Sequence, residues 1–133
     1  MENETCVPIR TDYDILLARE KGRGLALDLG LSSTESILVA TAISELARNI
    51  LRYARAGEIR MGLVHNGDRQ GIALEARDQG PGIPDVERAL QAGYSTSGGL
   101  GLGLPGVRRL MDEFEIDSRV GRGTVVKVKK WRR

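Results

Sequence analysis

The stretch SSTESILVATAISELARNILRYARAG, residues 32–57, decides the fold because it predicts a long amphipathic helix. Ser32 and Glu35 have the spacing of a capping box, in which each side chain satisfies a backbone N–H at a helix start. Apolar residues then recur at helical spacing and form one stripe, made of Val39, Ile43, Leu46, Ala47, Ile50 and Ala54. We expect Gly57 to end this helix, which then needs a partner for its apolar face.

The segments around this helix predict a mixture of helices and short strands. A first helix is expected from Thr11, its cap, to about Leu29, with Gly30 as the stop. The remaining segments predict strands at 5–9, 58–64, 72–76, 115–118 and 124–131, a hairpin at Asn66-Gly67 and a further helix at 107–113. This order predicts an α+β fold, a two-layer sandwich with helices on one face of a mixed or antiparallel sheet.

The composition excludes several classes of function. A chain of 133 residues fits one domain, residues 1–133, and 20 basic against 18 acidic residues leave no broad nucleic-acid footprint. Aromatic residues make up only 4%, too few for a base-stacking surface. The sequence has neither a membrane-length apolar run nor the apolar core of a signal peptide, and it has a single cysteine, Cys6. We therefore expect a cytoplasmic protein with no nucleic-acid and no membrane partner.

Glycine is abundant and clustered. The chain has 17 glycines, and seven of them lie between Gly80 and Gly103. Glycine-rich loops let backbone N–H groups approach a ligand and form concavities that bind anions. A single glycine is better explained by a turn, whereas the cluster favours phosphate binding.

Glu45 and Asn49 lie four residues apart on the long helix and so share a face. The amide oxygen of Asn49 can serve as a ligand of Mg²⁺, which prefers oxygen donors. The carboxylate of Glu45 can accept a proton from an attacking hydroxyl. Such a pair is also typical of a solvated helix face, and the pair alone does not decide between the two.

Three further segments carry polar or glycine-rich patterns. The run Asp78-Gln-Gly-Pro-Gly-Ile-Pro84 begins where a strand is predicted to end, so its carboxylate can accept a hydrogen bond from an exocyclic amine. The same run also suits a turn in which Asp78 binds its own backbone. The loop 94–104 leads into a helix, which suits phosphate oxygens. The run Gly121-Arg-Gly-Thr124 is by itself only a turn between strands.

Taken together, these four segments resemble the N, G1, G2 and G3 boxes of the GHKL ATPase superfamily in order and spacing, over nearly the whole chain. Within it, the resemblance is greatest to the serine/threonine switch kinases of the stressosome. It is carried by residues 43–49, 78–85, 93–101 and 104–114. The resemblance implies the Bergerat nucleotide fold and an ATP- and Mg²⁺-dependent protein serine/threonine kinase. It also implies STAS-domain scaffold or antagonist proteins as substrates, and a phosphatase regulator that the released kinase binds and activates.

The resemblance also implies roles for individual residues. Glu45 is the implied catalytic base, Asn49 the Mg²⁺ ligand and Asp78 the partner of the adenine amine. The pocket around the nucleotide is implied to include Gly80, Gly82, Ile83 and Thr124. The implied phosphate lid consists of Thr96, Ser97, Gly98, Gly99, Leu100, Gly101, Leu102 and Gly103.

The chain departs from this pattern in the lid. Many superfamily members carry a lysine there, whereas this chain has Ser95-Thr-Ser-Gly98. Because phosphoryl transfer depends on charge neutralisation, Mg²⁺ and backbone N–H groups must contribute more, or an arginine such as Arg108 must help. The alternative function is a nucleotide-binding module that acts by docking onto a regulator rather than by catalysis.

Overall fold

The computed structural model describes residues 1–91 and 103–133, and over this part of the chain it confirms the α+β class. Helices and strands form two layers. The strands are β1 (Glu2–Ile9), β2 (Gly57–Asn66), β3 (Arg69–Asp78), β4 (Glu113–Arg119) and β5 (Gly123–Trp131). The helices are α1 (Asp12–Leu29), α2 (Ser33–Ala54), α3 (Val86–Ala89) and α4 (Gly103–Leu110). None of these helices is long and apolar enough to cross a membrane.

The five strands form one sheet in the order β1-β2-β3-β5-β4. All four neighbouring pairs run antiparallel, so the sheet is antiparallel rather than mixed. The strand β1 lies at the edge, as Pro8 predicted, because a proline leaves one ladder position without a donor. The hairpin between β2 and β3 turns at Gly67-Asp68, with Asn66 paired to Arg69.

The two faces of the sheet differ in chemistry. One face packs against the helices through alternate buried residues of the central strands, which are Ile59, Met61, Ile72, Leu74, Val126 and Val128. The other face carries a row across four strands whose charges alternate, made of Arg60, Glu75, Lys127 and Glu115. Opposite charges side by side stabilise such a row. The helices of the described residues pack against the apolar face.

The helices α1 and α2 begin as predicted. Thr11 caps α1 in a capping box with Asp14, and Ser32 caps α2 in a capping box with Glu35. The two helices pack closely because Gly22 is buried in α1 and has no side chain, and a Cβ there would lie 2.0 Å from Ile43 Cδ1. Gly22 lowers the helix propensity of α1, but it allows α1 and α2 to pack closely, which explains a glycine at this position.

The strands are longer than predicted, two helices have other bounds, and one helix was not predicted. The helix α2 ends at Ala54, and Gly57 opens β2 instead of ending the helix. The helix predicted at 107–113 is Gly103–Leu110, because Glu113 pairs with Lys129 in the sheet and the Lys130 ammonium donates to the Leu110 carbonyl at 2.9 Å. The short helix α3 was not predicted.

Candidate active site

A cavity of about 190 Å³ lies between α2 and the sheet. Its lining is mainly apolar and includes Leu46, Ile50 and Val126. Among the described residues, the side chains that bring polar atoms to it are Asn49, Tyr53, Asp78 and Thr124. An apolar concavity with a few converging polar groups is the usual form of a small-molecule site.

Asp78 reaches the cavity from the last position of β3. Its side-chain Oδ1 accepts a hydrogen bond from the Gly80 N–H at 2.8 Å, so the carboxylate does bind its own backbone. The residue is half-buried and lines the cavity at the same time. The turn and the ligand partner were predicted as alternatives, and the observed geometry allows one carboxylate to serve both.

The loop after β3 is held by close backbone packing. Ile83 and Gly82 line the cavity, whereas Gly80 is not among the lining residues. A Cβ at Gly80 would lie 2.5 Å from Ala54 Cβ, and one at Gly82, where φ is +79°, would lie 2.4 Å from the Arg119 carbonyl oxygen. The missing side chains thus let the loop lie close to α2 and β4.

The strand β5 contributes Thr124, and it approaches Asp78 unusually closely. Thr124 pairs with Asp78 across the β3–β5 ladder and lines the cavity. A Cβ at the neighbouring Gly123, where φ is +118°, would lie 2.2 Å from the Asp78 carbonyl oxygen. The G3 segment, which looked like a simple turn, therefore holds the Asp78 end of β3 in place.

Ser118 on β4 is a site-supporting residue that the sequence did not reveal. Its Oγ accepts the Ile83 N–H at 2.7 Å and lies 2.7 Å from the Thr124 Oγ1. In the sequence, Ser118 is one small polar residue near the end of a predicted strand. Only the strand register, which pairs Ser118 with Thr124, could have pointed to it.

Glu45 and Asn49 do not lie on a solvated face. Asn49 lines the cavity, and Glu45 is buried with a relative exposure of 5%. One carboxylate oxygen of Glu45 accepts from Arg48 at 2.7 Å, and the other accepts the Gly103 N–H at 3.2 Å. Glu45 does not line the cavity itself. Gly103, which is hydrogen-bonded to Glu45, does line the cavity.

The donor set fits the magnesium ion that the resemblance implies. Across residues 1–91 and 103–133 there is no group of three or more His, Cys, Asp or Glu side chains that could hold a metal. Asn49 offers one neutral amide oxygen at the cavity. Mg²⁺ is commonly bound by few protein oxygens, with phosphates and water completing its shell.

Most of the predicted lid lies outside the described residues, namely Thr96, Ser97, Gly98, Gly99, Leu100, Gly101 and Leu102. The last lid residue, Gly103, begins α4 and lines the cavity. Arg108, considered as a substitute for the lid lysine, is exposed on α4 and does not line the cavity.

Comparison with known proteins assigns the chain to a family. The family model described as histidine kinase-, DNA gyrase B-, and HSP90-like ATPase matches residues 34–132. The chain belongs to this ATPase family. The match begins at α2 and ends after β5, so it contains every segment that lines the cavity.

Relatives within this ATPase family indicate which kind of enzyme the chain is. The chain is 49% identical over 133 residues, all of both chains, to the serine/threonine-protein kinase RsbT of Bacillus subtilis (strain 168). It is 30% identical over 120 residues to the anti-sigma F factor of Thermoanaerobacter sp. (strain X514), covering 86% of this chain and 82% of that protein. By its full-length similarity the chain is a serine/threonine-protein kinase, as the sequence predicted.

Solved structures of this ATPase family agree with the fold. The mycobacterial sensor histidine kinase MprB superposes with a TM-score of 0.55 at 20% identity, covering 93% of this chain and 95% of that one. At this identity the likeness concerns the fold alone, and it confirms the GHKL-type architecture.

Proposed function

We propose that this kinase transfers the γ-phosphoryl group of ATP to a serine or threonine of a small STAS-domain scaffold or antagonist protein. We further propose that the kinase, once released, binds and activates a phosphatase regulator. Such a partner switch lets one small domain report a signal by changing the protein it binds. The site assignments are Asp78 for the adenine amine, Asn49 for Mg²⁺ and Glu45 for the acceptor proton.

The observation that carries this proposal is the convergence of Asp78 and Asn49 on one mainly apolar cavity from different layers of the fold. A carboxylate at one side can accept from an amine, while an amide oxygen from α2 can meet a phosphate-bound cation. The full-length similarity to a serine/threonine-protein kinase supports protein as the acceptor class.

The proposed chemistry is a single phosphoryl transfer. The acceptor hydroxyl oxygen bonds to the γ-phosphorus, the bond from that phosphorus to the bridging oxygen of ADP breaks, and the acceptor proton passes to the Glu45 carboxylate. A magnesium ion held with the help of Asn49 would neutralise charge on the phosphates. The protein's task is to bring the hydroxyl, the nucleotide and the carboxylate together.

Two hydrogen bonds hold the Glu45 carboxylate away from the cavity. Both its oxygens accept hydrogen bonds, one from Arg48 and one from the Gly103 N–H. Gly103 lines the cavity and Glu45 does not, so we expect the start of α4 to move and expose the Glu45 carboxylate before transfer.

Calorimetry of ATP binding with and without Mg²⁺, followed by mass spectrometry of STAS-domain proteins incubated with the kinase, tests the proposal. Glu45→Ala should keep ATP binding and lose phosphate transfer by at least about 100-fold, within the range attributed to general-base catalysis. Glu20→Ala, which removes an exposed carboxylate from α1, is the matched control and should transfer phosphate normally.

The occupied carboxylate of Glu45 also favours a second candidate, in which the chain binds nucleotide and docks onto a regulator without catalysis. A normal transfer rate in Glu45→Ala would show that Glu45 is not the base. ATP binding without transfer to any STAS-domain protein tested would favour docking alone. No affinity for ATP with Mg²⁺ would reject the nucleotide site itself.

A further inference from the structure

We propose that Ser118 is a positioning residue that directs the Thr124 hydroxyl and thereby makes the cavity select adenine over guanine. This inference rests on the proposed function, because it takes the cavity to hold a purine nucleotide beside Asp78. Ser118 itself is not among the residues that line the cavity. Its effect on the base therefore passes through Thr124.

The Ser118 hydroxyl links two parts of the site. It accepts the N–H of Ile83, which lies 35 positions earlier in the chain, at 2.7 Å. It also lies 2.7 Å from the Thr124 Oγ1, and both Ile83 and Thr124 line the cavity. One half-buried side chain thus fixes the loop on one side of the cavity and the strand on the other.

A proton count gives the direction of the Ser118–Thr124 hydrogen bond. A serine hydroxyl has one proton to donate and two lone pairs, and the Ile83 N–H already uses one lone pair. The proton can go to Thr124 Oγ1 at 2.7 Å or to the Gly123 carbonyl at 3.5 Å. An O–H···O bond prefers about 2.7–2.8 Å, so the Thr124 oxygen is the better acceptor.

This direction leaves the proton of Thr124 free to donate toward the cavity. The lining then presents a donor from Thr124 and an acceptor from the Asp78 carboxylate, whose positions are paired in the β3–β5 ladder. Adenine offers the complementary pattern, an amine donor next to a ring-nitrogen acceptor. Guanine carries a carbonyl acceptor in place of that amine and a ring N–H donor beside it.

The opposite direction would weaken this selection. If Thr124 donated to Ser118, the Ser118 proton would be left with the 3.5 Å contact to Gly123, and Thr124 would present only lone pairs. Those lone pairs would suit the ring N–H of guanine. Ser118 therefore opposes the arrangement that guanine needs, and an unpaired buried polar group is costly.

The experiment measures ATP and GTP affinity by calorimetry, with Mg²⁺, for the full chain and five variants, one of them a double variant. In Ser118→Ala the preference for ATP over GTP should fall about tenfold, the loss expected for one hydrogen bond. Ser118→Thr keeps the hydroxyl and should retain the preference to within about threefold of wild type. The matched control is Ser44→Ala, which removes a hydroxyl bonded to the Ala40 carbonyl on α2, and it should leave the preference unchanged.

A double-mutant cycle separates positioning from a merely structural effect. Thr124→Val should lower the preference, and adding Ser118→Ala to it should lower the preference no further, because Ser118 acts through Thr124. Additive losses, or an unchanged preference in Ser118→Ala, would overturn the inference. Equal affinity of the wild type for ATP and GTP would also overturn the inference while leaving the proposed kinase intact. No binding of either nucleotide would reject the proposed function as well.

Discussion

The helical hairpin of α1 and α2 and the loop 79–85 are held in place by different kinds of contact. The two helices begin with capping boxes whose partners lie three residues apart, Thr11 with Asp14 and Ser32 with Glu35. The loop is held by contacts with distant segments, namely Gly80 on Ala54, Gly82 on the Arg119 carbonyl and Ile83 on Ser118. The hairpin is thus specified locally, whereas the loop takes its shape only when the rest of the fold is present.

This difference predicts how variants in the two regions will behave. Changes at the helix caps should lower the free energy of unfolding and leave nucleotide affinity alone. Changes at the loop and its partners should alter nucleotide affinity, with or without a loss of stability. The following variants test that division, from the largest expected effect to the smallest.

Asp78→Asn should weaken ATP binding by about 100-fold, near the upper end of what one hydrogen bond to a charged group contributes. Asparagine keeps an oxygen for the Gly80 N–H, so the turn should survive. Calorimetry measures the affinity, and thermal unfolding followed by circular dichroism shows whether the fold is kept. Wild-type affinity in this variant would show that the Asp78 carboxylate does not bind the nucleotide.

Gly82→Ala and Gly121→Ala form a matched pair, because φ is +79° at Gly82 and +80° at Gly121. A Cβ at Gly121 meets nothing within 4 Å, so its cost should be about 1 kcal/mol from the backbone alone. At Gly82 the clash with the Arg119 carbonyl should raise the loss to about 3 kcal/mol. Urea unfolding measures both, and equal losses would mean that the close approach contributes nothing.

Ser32→Ala removes the cap of α2 and should lower the free energy of unfolding by about 1 kcal/mol. Ser33→Ala, at the exposed first position of the same helix, should stay within about 0.5 kcal/mol of wild type. Neither variant should change the ATP dissociation constant in calorimetry. A large drop in affinity from Ser32→Ala would contradict the division between the hairpin and the site.

Asp14 gives the smallest expected effect, which depends on pH. Hydrogen bonds from the backbone N–H groups of Arg10 and Thr11 lower the pKa of its carboxyl. A lowered pKa stabilises the fold above the unfolded value of about 3.9, and that contribution is lost as the pH falls through the folded pKa. Asp14→Asn should therefore flatten the acid side of a plot of Tm against pH.

Asp12→Asn is the control for Asp14. It lies in the same first turn and takes no part in the capping box, which Thr11 and Asp14 form. The acid dependence of Tm should therefore stay close to wild type. A steeper acid loss in Asp14→Asn than in wild type would reverse the assigned sign.

The features that could be predicted from the sequence are those held by local contacts, as in α1 and α2. Capping boxes and an apolar stripe identified α2, and alternating residues identified the central strands, because these signals are local. The spacing of Glu45 and Asn49 predicted a shared helix face, whereas the contact between Glu45 and Gly103 could not be predicted because the two residues lie 58 positions apart. Ser118 was missed because its partners, Ile83 and Thr124, come from other segments.

The hydrogen bond from the Gly103 N–H to the buried carboxylate of Glu45 has a consequence for the resting enzyme. Glu45 is buried, does not line the cavity and is held by Gly103, so a water in the cavity is poorly placed to hand it a proton and bound nucleotide should hydrolyse slowly. Arrival of the protein substrate, rather than of nucleotide, is then the natural trigger for chemistry. Such an arrangement suits a signalling enzyme that waits fully loaded until its target docks.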